Sequence, residues 1–229
     1  MNKKNTKDCD LDSCVLCRQC LKSWLPAVAA NRKCLQFKKG ELLFSEGTEV
    51  KGMFFINKGI VKVHKKWDDE KELILRIAGD GDIVGHRGLG NDTIYPVSGT
   101  ALEPTTVCFI DISFFDDTLR INHDFLYQLL MFFAAELKES EKRMRNLAHM
   151  TVKARVANAI LILRQKFGIT NDGYLNITLS RQDFASYNGA TYETVFRVMN
   201  ELVEEKVITL EGKQILILSE NKLFDYIKD

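Results

Sequence analysis

The spacing of hydrophobic positions changes along this chain, and each change marks a different kind of element. Between residues 35 and 110 the apolar residues fall in short β-prone runs, at 42–44, 52–56, 60–64, 72–77, 83–84 and 105–110. Glu46-Gly47, Lys58-Gly59, residues 67–71, Gly79-Asp80-Gly81 and Gly90-Asn91-Asp92 separate them. Many short strands at close spacing predict a β-roll or barrel. Its expected interior is Phe55, Ile60, Val63, Leu75, Ile77, Val107 and the positions beside Phe109. Ser113 with Asp116 has capping-box spacing and predicts a short helix to about Arg120.

From about His123 to Asn146 the period becomes helical. Leu126, Leu130, Phe133, Leu137, Ser140, Met144 and Leu147 step by four and three in alternation. That seven-residue repeat keeps one apolar seam on a single face, as a coiled coil requires. Leu126, Leu130, Phe133, Leu137 and Met144 are therefore the expected interface of a homodimer. The plainer alternative is a helix packed on its own β-domain. A further helix is expected over 153–167.

The most informative stretch is 177–207. Ser180 and Asp183 repeat the capping box, predicting a helix from Arg181 to about Tyr187. Asn188-Gly189-Ala190 supplies a tight turn, with positive φ expected at Gly189. Thr191 can cap a second helix, Tyr192 to about Glu204, whose buried stripe is Val195, Met199, Leu202 and Val203. Its opposite face carries Tyr192, Glu193, Phe196, Arg197 and Asn200. Two β-prone runs around Glu211-Gly212-Lys213 follow. Two short helices, a glycine turn and a hairpin, in that order, predict a winged helix-turn-helix that reads double-stranded DNA. Arginine in the first turns of such a helix can donate to guanine O6 and N7, and glutamate can accept from cytosine N4. The plainer alternative is a helical hairpin of an ordinary core, with Glu193 and Arg197 as a surface ion pair of about 0.3 kcal/mol.

Composition adds bounds. The chain has 229 residues, 45% of them hydrophobic, enough for two small domains with separate cores. Its net charge is +1. Residues 151–229 hold ten Lys plus Arg and ten Asp plus Glu, a net of zero, which is low for a protein that neutralises phosphates. Local positive potential at helix N-termini can offset this. Residues 1–12 are polar and lack an apolar signal core, and the longest apolar run, 129–135, is too short for a bilayer. A cytoplasmic location without a membrane partner is expected.

In a reducing compartment six cysteines point to metal or redox chemistry, or to simple burial, more than to disulfides. Four are crowded near the start: Cys9, Cys14, Cys17 and Cys20. The C-x2-C-x2-C run from Cys14 to Cys20 can direct three thiolates to one cubane iron-sulfur cluster, with a fourth supplied from elsewhere. A zinc site from Cys9, Cys14, Cys17 and Cys20 is the rival chemistry, and an unliganded tail is the plain alternative. An electron carrier would need only these cysteines and leaves the helix-turn-helix unexplained.

The whole order resembles the CRP/FNR family of bacterial transcription regulators. The resemblance is carried by Lys39-Gly40-Glu41 with Phe44 and Glu46-Gly47, by Asn57-Lys58-Gly59, by Gly81-Asp82-Ile83-Val84-Gly85 and by Leu179-Ser180-Arg181-Gln182-Asp183. Thr191-Tyr192-Glu193-Thr194-Val195-Phe196-Arg197 is its most specific part. It implies an α+β chain: a cysteine-rich segment (1–22), a cyclic-nucleotide-binding-like β-roll (23–121), a dimerisation helix (122–149) and a winged helix-turn-helix (150–229). It implies no enzyme activity, a palindromic DNA site and RNA polymerase as a partner. Glu193 and Arg197 fall on the family's base-reading positions, with Ser180, Arg181, Thr191, Tyr192 and Phe196 around them.

The cyclic-nucleotide branch places Gly-Glu and a downstream Arg-Ser pair in the roll; here Gly85 is followed by His86, and Tyr95-Pro96-Val97-Ser98 lacks the pair. Cyclic AMP is therefore not expected to bind. The oxygen-sensing FNR branch is more similar. It places a remote cluster thiolate on a late strand, here Cys108 after Ala101-Leu102-Glu103. The resemblance thus implies a [4Fe-4S] cluster on Cys14, Cys17, Cys20 and Cys108, with Cys9 able to replace one of the first three, and a response to oxygen, redox state or nitric oxide. The same fold gated by an unidentified small effector in the roll is the alternative. The family spaces its N-terminal cysteines more widely than this chain does.

Overall fold

The computed structural model describes residues 14–68 and 71–228. Cys9 and the first part of the cysteine-rich segment lie outside those residues. The described chain falls into two compact units. One takes in the N-terminal segment, the roll and the next helix as far as Glu136; the other takes in Leu137 onward with the first residues of one strand.

In the first unit, helices α1 (Val15–Gln19) and α2 (Leu25–Asn31) precede strand β1 (Arg32–Phe37). The roll continues with β2 (Leu42–Phe44), β3 (Gly52–Lys58), β4 (Val61–Lys66), β5 (Glu72–Ala78), β6 (Ile83–Val84), β7 (Ser98–Ala101) and β8 (Thr105–Asp111). Its two sheets run β1-β8-β3-β6 and β2-β7-β4-β5. Aromatic rings fill the space between them. Phe44 lies 4.6 Å from Tyr95 and 5.5 Å from Phe54, and Phe54 lies 5.0 Å from Phe109. Gly99 makes room for this stack, since a Cβ there would stand 2.5 Å from the Phe44 ring.

The predicted interior needs correction at three positions. Ile60 and Leu75 are only half-buried. Phe55 is buried but faces the other way, 6.3 Å from Phe115 of α3 (Ile112–Ile121). The run Met53–Ile56 is buried on both faces, so alternation offers no polar side to orient it. The cap of α3 also moves: Asp111, not Ser113, is the N-cap, and its carboxylate accepts from the Ser113 N–H at 3.2 Å.

Helix α4 (His123–His149) carries two apolar stripes. Phe125 and Leu129 are buried against the roll, Phe125 meeting Phe115 edge-on at 6.0 Å, and Phe132 and Phe133 continue that contact. The predicted seam lies mostly on another face. Leu126, Leu130, Leu137 and Met144 are exposed, Leu130 and Leu137 at 61%, while Phe133 is half-buried. The packing of this helix on its own β-domain thus holds for one face, and the other face is left apolar and exposed.

The second unit continues with α5 (Val152–Phe167), α6 (Arg181–Asn188), α7 (Tyr192–Glu204), the hairpin β9 (Ile208–Glu211) and β10 (Gln214–Ile217), and α8 (Glu220–Lys228). Its core joins Val156, Ile160 and Leu163 to Phe184, Leu202 and Leu223. Thr151 caps α5 by accepting from Ala154 N–H at 3.2 Å.

Candidate DNA-reading face and the sensor end of the roll

Caps and turn together position α7. The Ser180 hydroxyl accepts from Asp183 N–H at 2.9 Å and contacts the Asp183 carboxylate, so it is engaged at the start of α6. Gly189 ends α6 at φ +59°, and a Cβ there would meet Leu147 at 2.7 Å. Only glycine fits both demands. Arg155 braces the turn, donating to Leu147 O at 3.0 Å and to Gly189 O at 3.4 Å. The Thr191 hydroxyl accepts from Thr194 N–H at 3.3 Å and opens α7. Val195, Val198, Met199 and Leu202 form its buried stripe; Val198 belongs there and Val203 is only half-buried, a correction of one position.

The outer face of α7 presents Tyr192, Glu193, Phe196, Arg197 and Asn200 to solvent. Arg197 pairs with Glu201 at 3.4 Å rather than with Glu193, one turn later than the plain ion-pair alternative supposes. The pair is exposed and therefore weak, so Arg197 can reorient at small cost. Arg181 is drawn away from the start of α6: its guanidinium lies 5.0 Å over the Phe196 ring and donates to Gly212 O of the hairpin turn at 3.3 Å.

At the N-terminal end of the first unit, the segment that precedes the roll is docked on α3. Leu21 N–H donates to Asn122 Oδ1 at 2.8 Å, the Trp24 indole N–H donates to Thr118 Oγ1 at 3.1 Å, and the Trp24 ring stacks on Phe114 at 5.8 Å. Cys14, Cys17 and Cys20 are buried in the same apolar cluster as Cys108, around the fully buried Leu16. Burial pushes the Cys20 thiol up to about 11, and neighbouring Cys14 adds to it. Cys108 sits opposite Phe55 on β3 and Cys34 on β1. Facing residues of an antiparallel ladder share a side, so Cys108 and Cys34 point with Phe55 towards α3, away from the ring-filled interior. The sequence offered no sign that Cys34 stands beside Cys108. Among the described residues, no three His, Cys, Asp or Glu side chains converge closely enough to hold a metal ion.

His86 occupies a turn after β6, with Gly85 at φ +90°, and is buried. Its Nε2 lies 3.7 Å from Glu136 of α4, longer than a hydrogen bond. Glu136 also meets Arg76 and Arg87, each at 3.3 Å. Arg76 donates further to Asp82 at 2.7 Å and to Ile83 O at 2.8 Å. Burial alone would raise the Glu136 carboxyl, but His86 and the two guanidiniums outweigh it and bring it down to about 2. Burial lowers His86, favouring the neutral imidazole, against the pull of Glu136. Phe132 and Phe133 meet the imidazole edge-on at 4.9 and 5.5 Å.

Residues 34–122 match the cyclic nucleotide-binding domain family, and residues 154–226 match the Crp-like helix-turn-helix domain family. The transcriptional activator protein Anr of Pseudomonas aeruginosa is 30% identical over 189 residues, which are 81% of this chain and 77% of that protein. The chain belongs to the CRP/FNR family.

As a CRP/FNR regulator it is a DNA-binding transcription regulator, in a family of regulators and not of enzymes. A CRP-like cAMP-activated global regulator of Mycobacterium tuberculosis is 29% identical over 202 residues, 86% of this chain and 90% of that protein. The structure of FixK2 from Bradyrhizobium japonicum superposes with a TM-score of 0.76 at 23% identity, covering 85% of this chain and 96% of that one, a likeness of fold alone. Among the described residues no helix is long and apolar enough to cross a membrane. Relatives of this regulator thus include one named for cyclic AMP, so the choice of effector rests on the residues of the site.

Proposed function

We infer that this CRP/FNR regulator senses oxygen, redox state or nitric oxide through a [4Fe-4S] cluster held by Cys14, Cys17, Cys20 and Cys108, and passes that state to DNA binding. The observation that supports the reading is that Cys14, Cys17 and Cys20 are buried in the same apolar core cluster as Cys108. Ligation requires residues 14–20 to draw further towards β8 and the buried thiols to give up their protons to the bound iron, against the upward shift that burial imposes on Cys20. When bound, the cluster supplies reactivity towards oxygen and nitric oxide. The chain's own part is anchoring: Asn122 and Thr118 hold the segment beside the start of α4. Ordering there would favour the homodimer whose two α7 helices face one palindrome, joined through Leu126, Leu130, Phe133, Leu137 and Met144.

The rival is a small effector in the roll with no cluster, favoured by the lack of convergent donors among the described residues. Cyclic AMP is a poor candidate, because Arg76, Arg87 and His86 are already arranged around Glu136. An anionic ligand would have to displace that carboxylate.

Purification without oxygen, with visible spectrum, iron and acid-labile sulfide measured, separates the two. The expected result is brown protein with about four irons per chain. Serine at Cys14, Cys17, Cys20 or Cys108 should abolish the colour, and Cys34→Ser should keep it. Colourless protein after anaerobic reconstitution overturns the cluster and favours the effector.

A further inference from the structure

The helix-turn-helix carries an aromatic feature that base-reading by Glu193 and Arg197 does not use. Tyr192 and Phe196, one turn apart on the outer face of α7, stack nearly parallel, with centroids 6.0 Å apart and planes at 4°. Each is 38% exposed. The Arg181 guanidinium lies on Phe196, 5.0 Å from the ring centroid, and its far side donates to Gly212 O in the hairpin turn. Tyr192, Phe196, Arg181 and the hairpin turn thus form a continuous row across the second unit. Beneath it runs an apolar cleft lined by Leu179, Phe184, Val195, Met199 and Leu210.

Exposed rings at these positions are costly for a surface that only meets water. Neither ring can accept or donate along a base edge as Arg or Glu does, apart from the tyrosine hydroxyl. A flat apolar edge in the major groove has one complementary group there, the thymine C5-methyl. Stacking and the guanidinium hold the rings in place, so ordering them on DNA costs little side-chain entropy. The basic charge of Arg181 next to the rings and Lys213 in the hairpin turn complement the flanking backbone.

We propose that Tyr192 and Phe196 form a methyl-reading platform, braced by Arg181, that selects thymine at the half-site positions flanking the bases read by Glu193 and Arg197. The proposal rests on the DNA-reading function of the family and assigns specificity to residues outside its Glu-Arg pair. Arg181 is a positioning residue in this scheme: it acts on the base through Phe196.

The experiment begins with the anaerobically purified full-length protein and a random duplex pool, from which its preferred palindrome is selected. Each thymine of that palindrome is then replaced singly by deoxyuridine, which removes only the methyl group. One or two thymines per half-site should be sensitive, each losing about fourfold in affinity, the factor that corresponds to one buried carbon. Phe196→Ser should bind thymine and deoxyuridine duplexes alike, whereas Arg197→Ala, though weaker, should still distinguish them. Arg181→Gln should reduce the discrimination partly, and Arg181→Lys should restore some of it through the retained cation. The deoxyuridine scan of the unaltered protein needs no variant to fold. A palindrome preference that survives every methyl removal overturns the platform and leaves the family function standing; undiminished discrimination by Phe196→Ser does the same. No sequence preference in the selection overturns both.

Discussion

The charges around Glu136 are satisfied by one another, whereas those on the outer face of α7 are left for a partner. Arg76 is held at once by Glu136, Asp82 and a backbone carbonyl, all within one unit. Arg197 has one exposed contact, to a residue on its own helix. Burial separates the two cases. A guanidinium inside the roll must be fully partnered, because an uncompensated charge there is expensive. A guanidinium on α7 stays hydrated and needs no such partner, which leaves it open to a ligand. One region is therefore built for integrity and the other for recognition, and substitutions should separate them.

Glu136→Ala should have the largest effect. Removing the carboxylate leaves Arg87 and His86 without their shared partner and should lower stability by about 3 kcal/mol, with base preference intact. Urea unfolding with DNA selection checks both halves, and a change of base preference would erase the distinction. The same cluster predicts acid sensitivity. Both His86 and Glu136 are held below their ordinary values, so their contribution is complete above the unfolded-state values. It should decline as pH falls below about 6.5, where unfolded histidine gains a proton, and decline more steeply from about 4.5 towards 2 through Glu136. Glu136→Gln should flatten that lower limb in the unfolding midpoint.

Next in size is the seam. Leu137→Glu should convert dimer to monomer by sedimentation, since each protomer loses apolar burial of about 2 kcal/mol and gains a like-charge contact. Unchanged dimer at micromolar concentration would exclude this face of α4. Arg197→Ala should cost about 1–3 kcal/mol on the preferred palindrome, relax one base position and leave unfolding unchanged. A uniform loss over all sequences would remove its reading role. The smallest expected effect is nil: cyclic AMP should give no heat in a calorimetric titration, and micromolar binding would show that the Glu136 cluster opens.

The helix-turn-helix was legible because its signals are local. Capping spacing, a glycine turn and a three-four stripe all act within a few residues, so α6 and α7 match their expected bounds to within one residue. The roll was less so. Strand β1 was missed because Arg32-Lys33 and Gln36 break its apolar run, and β7, Ser98-Gly99-Thr100-Ala101, has small residues because ring packing from Phe44 demands them. His86 stands out in the sequence as a departure from the Gly-Glu pattern, but its partner Glu136 lies fifty positions on, upon a helix whose clearest signal is its apolar seam. Cys34 carries no local signal for a similar reason: only the register of β1 on β8 brings it opposite Cys108.

Asn122 is buried between two elements, accepting from Leu21 N–H while donating to Thr118 O at 2.8 Å. It lies where the roll hands over to α4, and it contributes no sulfur. The grip on the N-terminal segment can therefore be loosened without touching a thiol. On the oxygen-sensing function proposed above, this would separate threshold from chemistry. Asn122 and Thr118 would act as a tuning dial, and two regulators with identical cysteines could release their segments at different exposures, having diverged at a single amide.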